Sequence, residues 1–329
     1  MAETVSVTMV EAVRLALGRA LADDQSVVLL GEDIGADGGV FRATDGLLAR
    51  FGPDRVVDTP LSEALFTGLA VGMAAQGLRP VVEYQFMGFV YPAIDQLVNH
   101  ASRLRNRTRG RLSCPLVVRM PYGGGIHAPE HHSESNEAML AHIPGLRVVV
   151  PSSPALAYGL LLSAIRDPDP VVFLEPKRIY RAAHEDVVDD GVGLDLDRCQ
   201  VLRSGTDLTI VAWGASTVEA LAAAADLAAD GVKAEVIDVC TLKPIDMATI
   251  LRSVERTGRC VIVHEAARAG GLGAEVAANL ADAGLTSLLA PVLRVTGYDT
   301  VMPLYRLENH YMPSTARVLR GCRRVLEYR

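Results

Sequence analysis

Apolar residues recur along the chain first at helical and then at buried-strand spacings. Val10, Val13, Leu17 and Leu21 fall on one helical stripe, with Thr8 and Glu11 ahead of it at the spacing of a capping box. Val27–Leu30 is a short continuous apolar run, the pattern of a strand buried on both faces, and it ends at Gly31-Glu32-Asp33. Val56-Val57-Asp58 predicts a second strand, stopped by Pro60. Ser62 stands where it can cap a helix running from Glu63 to Gln76, with Gly77 past its end. Pro80–Tyr84 predicts a strand, Tyr91–Leu104 a helix and Leu116–Met120 a strand, followed by a Gly/His loop from Pro121 to His132. Arg147–Val150, Pro154–Ile165 and Val171–Leu174 continue as strand, helix and strand. Strands separated by helices predict a mostly parallel sheet with helices on both faces.

The rhythm breaks after Ala182. Residues 183–203 are acidic and weakly periodic, which predicts a linker between domains at 1–182 and 204–329. Beyond it, Leu208–Trp213 predicts a strand, and Ser216 with Glu219 has capping-box spacing before an Ala/Leu-rich helix ending at Gly231. Ala234–Val239, Cys260–His264 and Leu293–Thr296 predict strands, with helices at Met247–Glu255, after Gly273 and at Ser314–Leu326. This is a second, smaller α/β domain.

Composition narrows the classes. Half of the 329 residues are apolar, which excludes disorder as the main state. A formal charge of −7 argues against nucleic acid or an anionic membrane as the main partner. No apolar run approaches the roughly 18 residues of a membrane span. Five dispersed cysteines without a CxxC pair fit reduced thiols. Met1-Ala2-Glu3-Thr4-Val5 has neither a basic start nor an apolar stretch, so the expected compartment is the cytoplasm.

In open α/β sheets ligands sit beyond the carboxyl ends of strands, which selects Glu32, Glu63, the residues after Tyr84 and the loop 121–132. Glu63 stands in the first turn of an otherwise apolar helix. It either complements the helix dipole or serves chemistry. His127-Ala128-Pro129-Glu130-His131 fits the H-x-x-E-H pattern of a zinc peptidase class. Three glycines before it and Pro129 within it oppose the helix that pattern requires. Histidines in such a loop suit proton transfer or oxyanion stabilisation instead. Gly271-Leu272-Gly273 lacks the third glycine of a dinucleotide fingerprint, and no phosphate-binding P-loop is present. The arginines at 103, 105, 107, 109 and 111 suit a subunit contact or a solvated turn.

Asp58-Thr59-Pro60-Leu61-Ser62-Glu63 is more specific. With Gly31-Glu32-Asp33-Ile34-Gly35, Gly39-Val40-Phe41-Arg42, Glu83-Tyr84-Gln85-Phe86, Pro92-Ala93-Ile94-Asp95-Gln96, His132-Ser133, Ile165-Arg166-Asp167, Glu175-Pro176-Lys177-Arg178 and Gly297-Tyr298-Asp299-Thr300, it resembles the β subunit of thiamine-diphosphate-dependent 2-oxo acid dehydrogenases. The resemblance spans nearly the whole chain. It implies two three-layer α/β/α domains, a pyrimidine-binding domain with a mostly parallel sheet and then a transketolase C-terminal-like domain. It also implies an oxidoreductase with a disulfide acceptor.

Carried over residue by residue, Glu63 matches the glutamate that hydrogen-bonds N1′ of the cofactor's aminopyrimidine, and Phe89 the aromatic that packs on that ring. Leu61 matches a residue whose backbone lies near the amino group, Gln85 and Glu32 polar residues of the same pocket, and His132 the histidine that helps pass the acyl group to lipoamide. Leu116, Ala164, Ile165, Asp167 and Asp169 match a structural potassium set, in which Asp169 replaces a familiar asparagine. The Gly-Asp-Gly motif that holds the diphosphate through Mg2+ is not recognisable. The resemblance therefore implies that an α subunit supplies that half of the site in an α2β2 heterotetramer. It further implies a lipoyl acyltransferase core as partner, met through the C-terminal domain. Glu175–Arg181 leans toward a branched-chain 2-oxo acid as substrate, with pyruvate or acetoin as the alternative and a non-catalytic docking subunit as the rival from another class.

Overall fold

The computed structural model describes residues 3–328. The chain forms two compact units, one running to Tyr122 and resuming over Met139–Leu196, the other made of Gly123–Ala138 and the chain from Asp197 onward.

In the first unit the strands are β1 (Glu3–Val7), β2 (Val27–Gly31), β3 (Val56–Asp58), β4 (Arg79–Glu83), β5 (Val117–Tyr122), β6 (Arg147–Val149), β7 (Val171–Pro176) and β8 (Glu185–Asp189). The order β6-β7-β5-β4-β2-β3 is parallel throughout. β2, β5 and β7 are buried along their whole lengths, as strands covered on both faces must be. Helix Met9–Asp23 packs on helix Pro154–Arg166, and its predicted stripe of Val10, Val13, Leu17 and Leu21 is buried. Thr8 donates to Glu11 Oε2 from its backbone nitrogen at 2.8 Å and from its hydroxyl at 2.6 Å.

A buried ion triad crosses the middle of this sheet. Arg119 on β5 makes a two-pronged contact with Glu175 on β7, at 2.7 and 2.9 Å, and a third bond to Glu83 on β4 at 2.6 Å. Tyr180 donates to Glu175 as well. Burial drives the Glu83 carboxyl up, against the pull of Arg119. Buried charges persist only when paired and hydrogen-bonded in this way.

The second unit holds β9 (Gln200–Arg203), β10 (Leu208–Ala212), β11 (Ala234–Asp238), β12 (Thr241–Lys243), β13 (Cys260–Val263) and β14 (Leu293–Val295). Its five-stranded sheet has the order β14-β13-β10-β11-β9, parallel except where β9 runs against β11. Leu208, Ile210 and Val236 from the strands meet Ala220, Ala224, Val318 and Val325 from the helices in its core.

Several local expectations are revised. Residues 183–203 carry β8, which pairs antiparallel with β1, and β9, which joins the second sheet. Acidic side chains on β8 hide the alternation that marks a half-buried strand. The predicted helix over Tyr91–Leu104 is a broken run of 3-10, π and α turns from Met87 to Arg107, with Pro92 in the first segment, where it removes a backbone donor. Ser62 is the N-terminal boundary residue of helix Glu63–Ala75, but its side chain makes no capping bond. Helix Ser216–Ala229 has Ala215 as its N-terminal boundary residue, so Ser216 is the first residue inside the helix and does not occupy the capping position that its spacing to Glu219 predicts.

Candidate active site

The parallel register of the first sheet sets Gly31 beside both Asp58 and Glu83. The segments leaving β2, β3 and β4 therefore start side by side, at the carboxyl edge where such sheets bind ligands. Glu32 leaves β2, Leu61 and Ser62 follow β3, and Gln85 and Phe89 follow β4. Glu63 opens the helix after β3 and is buried.

Close packing holds these segments. Asp58 accepts from the backbone of Gly35 at 2.6 Å and of Ala36 at 3.0 Å, tying the loop after β2 to β3. Gly39, in the left-handed region, lies so near Glu83 that a Cβ there would stand 2.7 Å from Oε1. Tyr84 and Thr67 share a hydroxyl hydrogen bond of 2.6 Å, locking helix Glu63–Ala75 against the end of β4. Phe89 meets Phe86 edge-on at 5.8 Å, Phe86 meets Phe41 at 5.4 Å, and Phe41 meets Tyr180 at 5.2 Å.

The electrostatics single out the carboxylates. Burial, then Asp33, then Glu63 push the Glu32 carboxyl up. Glu32 Oε2 is buried and has no hydrogen-bond partner among the described residues. Burial, with a smaller contribution from Glu63, drives the Tyr84 phenol up. A buried acceptor beside a second carboxylate is a place for a ligand's N–H donor. The sequence-selected residues Glu32, Glu63, Leu61, Gln85 and Phe89 thus all lie on segments leaving one sheet edge. Leu61 projects into solvent, 67% exposed.

The potassium-like set also lies in the first unit. Arg79 Nη1 donates to Ile165 O at 2.9 Å and to Asp167 O at 3.3 Å. Leu116 O accepts from Val171 N, and Ala164 O from Asp167 N. The Asp167 carboxylate lies 3.4 Å from Arg147, and that of Asp169 lies 2.6 Å from Arg105. Of this set, the main-chain oxygens of Ile165 and Asp167 converge on a positive group, Arg79.

His132 belongs to the second unit, in a 3-10 turn over Glu130–His132. His127 lies outside that turn with φ +61°, so His127 and His131 share no helical face and the zinc peptidase arrangement does not form. Sequence reasoning missed the buried acids of this unit. Glu137 Oε1 accepts from Trp213 Nε1 at 3.3 Å, and burial above all, with Glu265 adding, raises its carboxyl to about 8. His264 stacks on Trp213 at 4.9 Å, and burial first, then Arg294 and Arg268, lower it to about 3. Gly273 leaves room for this ring, since a Cβ there would stand 2.7 Å from Nε2, and a Cβ at Gly271 would meet both the ring at 2.9 Å and Ala267 O at 2.4 Å. Single polar residues between apolar runs carry no periodic signal, so only proximity in the fold reveals them.

Residues 5–183 match the family described as transketolase, pyrimidine binding domain, and residues 197–318 that described as transketolase, C-terminal domain. The chain is 47% identical over 321 residues to the pyruvate dehydrogenase E1 component subunit beta of Bacillus subtilis, covering 98% of this chain and 99% of that one. The proteins of the same name from Acholeplasma laidlawii and Staphylococcus epidermidis are each 45% identical, at the same coverage. Among solved structures it resembles a split gene transketolase, an inactive beta4 tetramer, with TM-score 0.80 and 25% identity over 98% of this chain and 99% of that one. No helix among the described residues is long and apolar enough to cross a membrane. The chain belongs to the β subunits of thiamine-diphosphate-dependent 2-oxo acid dehydrogenases, in the transketolase-like superfamily.

Proposed function

We propose that the chain is the β subunit of a pyruvate-type dehydrogenase. With an α subunit it would oxidatively decarboxylate pyruvate and pass the acyl group to lipoamide on an acyltransferase core. The relatives carry the choice of pyruvate, since those compared at 45–47% identity over nearly the full length bear that name. The branched-chain lean drawn from Glu175–Arg181 is given up. Glu175 and Tyr180 serve the buried Arg119 network, so their identity reports on the core of the fold and not on acyl-chain length.

The observation that supports a cofactor role is the half-buried Glu32, with its buried and unmet Oε2 acceptor, in the electrostatic range of the buried Glu63. Thiamine diphosphate supplies a carbon nucleophile and an electron sink. Glu63 would hold a proton at the aminopyrimidine N1′ atom, Phe89 would pack on that ring, and Glu32, Gln85 and the Leu61 backbone would receive its polar edge. His132 would move a proton during acyl transfer to lipoamide. The α subunit would hold the diphosphate and Mg2+.

Leu116, Ala164, Ile165, Asp167 and Asp169 would form a structural potassium site, consistent with main-chain oxygens that already converge on Arg79. Thermal unfolding of the assembled enzyme in potassium against choline chloride tests it: a higher Tm in potassium is expected, and equal values remove the site. Co-expression with the α subunit tests the main reading. Pyruvate should show the higher kcat/KM, and a preference for 2-oxoisovalerate would refute the assignment.

A further inference from the structure

A loop rich in glycine does not by itself hold a histidine in one place. Gly123, Gly125 and His127 all sit in the left-handed region, at φ +85°, +87° and +61°. His127 is the costly one, because a side chain there meets the backbone. Within the loop Gly123 N donates to Glu134 O, His132 N to Pro129 O across the 3-10 turn, and Ser133 N to Glu130 O.

Two buried carboxylates of the same unit meet this loop. Glu308, only 1% exposed, lies in helix Tyr305–Tyr311. Its Oε1 accepts from Gly125 N at 2.7 Å and its Oε2 from His127 N at 3.1 Å. His127 Nε2 lies 3.5 Å from the same Oε2. Further along, Glu265 Oε1 accepts from Ser135 Oγ at 3.1 Å and packs against Gly123 so closely that a Cβ there would stand 1.9 Å away. Between these points Ser133 Oγ donates to Pro129 O at 3.1 Å. Bonds to the backbone at 125 and 127, with packing at 123, hold the chain before the turn that carries His132, and the bond to the Ser135 hydroxyl holds the chain after it.

Charge-assisted bonds to backbone N–H groups are among the stronger hydrogen bonds, and here one carboxylate takes two of them in a buried setting. We propose that Glu308 is a positioning residue whose carboxylate clamps the Gly125 and His127 amides and thereby presents His132 in one place for acyl transfer. The inference rests on the reading of His132 given above. Glu308 acts in this proposal only through the backbone it holds.

The test uses the assembled α2β2 enzyme with Glu308→Ala, Glu308→Gln and His132→Ala. Amide hydrogen exchange over 123–138 is read beside two half-reactions: decarboxylation with an artificial electron acceptor, and acylation of a lipoyl domain. Glu308→Ala should speed exchange at Gly125 and His127 by about tenfold or more, since local opening follows the lost bonds. It should lower kcat for acylation about 10–100-fold, the cost of a misplaced group, with KM for the lipoyl domain and the decarboxylation rate held. Glu308→Gln keeps the shape and one acceptor oxygen and should fall between, which keeps the test open if the alanine variant does not fold. Unchanged exchange overturns the clamp, as does an equal fall in both half-reactions. A loosened loop with intact acylation, while His132→Ala loses it, also overturns it and leaves His132 in its role. Full acylation by His132→Ala removes the reading of His132 and this inference with it.

Discussion

Two buried acids in different surroundings show how much position decides. Glu63 lies at the carboxyl edge of the first sheet, and Glu137 lies deep in the second unit. Glu63→Gln should leave folding and assembly intact and lower decarboxylation about 10²–10⁴-fold, because an amide cannot exchange the proton. Activity within a factor of about two of the wild type would remove the role, since lost acid–base help is far larger. Glu137 makes a different prediction. Its folded pKa of about 8 lies above the ordinary 4.5, so the folded chain holds a proton that the unfolded chain releases in between. Its contribution to stability is complete below pH 4.5 and is lost as pH rises toward 8. Glu137→Gln, which is neutral at every pH, should flatten the fall in urea-unfolding stability across that window. An unchanged slope would show that Glu137 is ionised in the fold.

Helix starts separate side chains that bond from those that only occupy the position. Asp246 opens helix Met247–Thr257 and accepts from Thr249 N at 3.1 Å, Thr249 Oγ1 at 2.6 Å and Cys199 N at 3.2 Å. Ser62 opens helix Glu63–Ala75 with no side-chain capping bond. Asp246→Ala should therefore cost about 1–2 kcal/mol in chemical denaturation, and Ser62→Ala no more than about 0.5 kcal/mol. Equal costs would show that Ser62 caps in solution. Both residues carry the same N-terminal signal in the sequence. What differs is the chain brought near: Cys199 reaches Asp246, whereas the backbone of Ser62 is held at φ −163°, ψ 85°.

At the scale of the molecule, the first unit leaves apolar side chains unpartnered. Leu65 and Leu69 on helix Glu63–Ala75 are 55% and 51% exposed, and Leu61 just before them more so. The helix is apolar nearly all round, which marks an element covered on more than one side. Leu69→Asp should leave the thermal stability of the isolated chain near the wild type and prevent its assembly with the α subunit in size-exclusion chromatography. Normal assembly would place the partner elsewhere. The proposed sharing of the site with an α subunit fits the same picture, since no diphosphate motif is recognisable in the sequence.

The sequence by itself determined the order of strands and helices wherever apolar periodicity was strong. The stripe of Val10, Val13, Leu17 and Leu21 and the runs at Val27–Leu30 and Val171–Leu174 became buried elements because burying them is the main gain of folding. It also held the motif around Glu63, whose residues are contiguous. Only the tertiary structure decided the rest. The pairing of β1 with β8 joins Glu3 to Asp189 across most of the first unit, and no local pattern encodes a partner so distant. Ser216 does not cap because its neighbour Ala215 takes the boundary position and Ser216 falls inside the helix. The Arg119 triad and the Glu308 clamp unite residues 36, 56, 181 and 183 positions apart. A charge or a carboxylate acts through what lies within a few ångströms of it, and that neighbourhood exists only after the chain has folded.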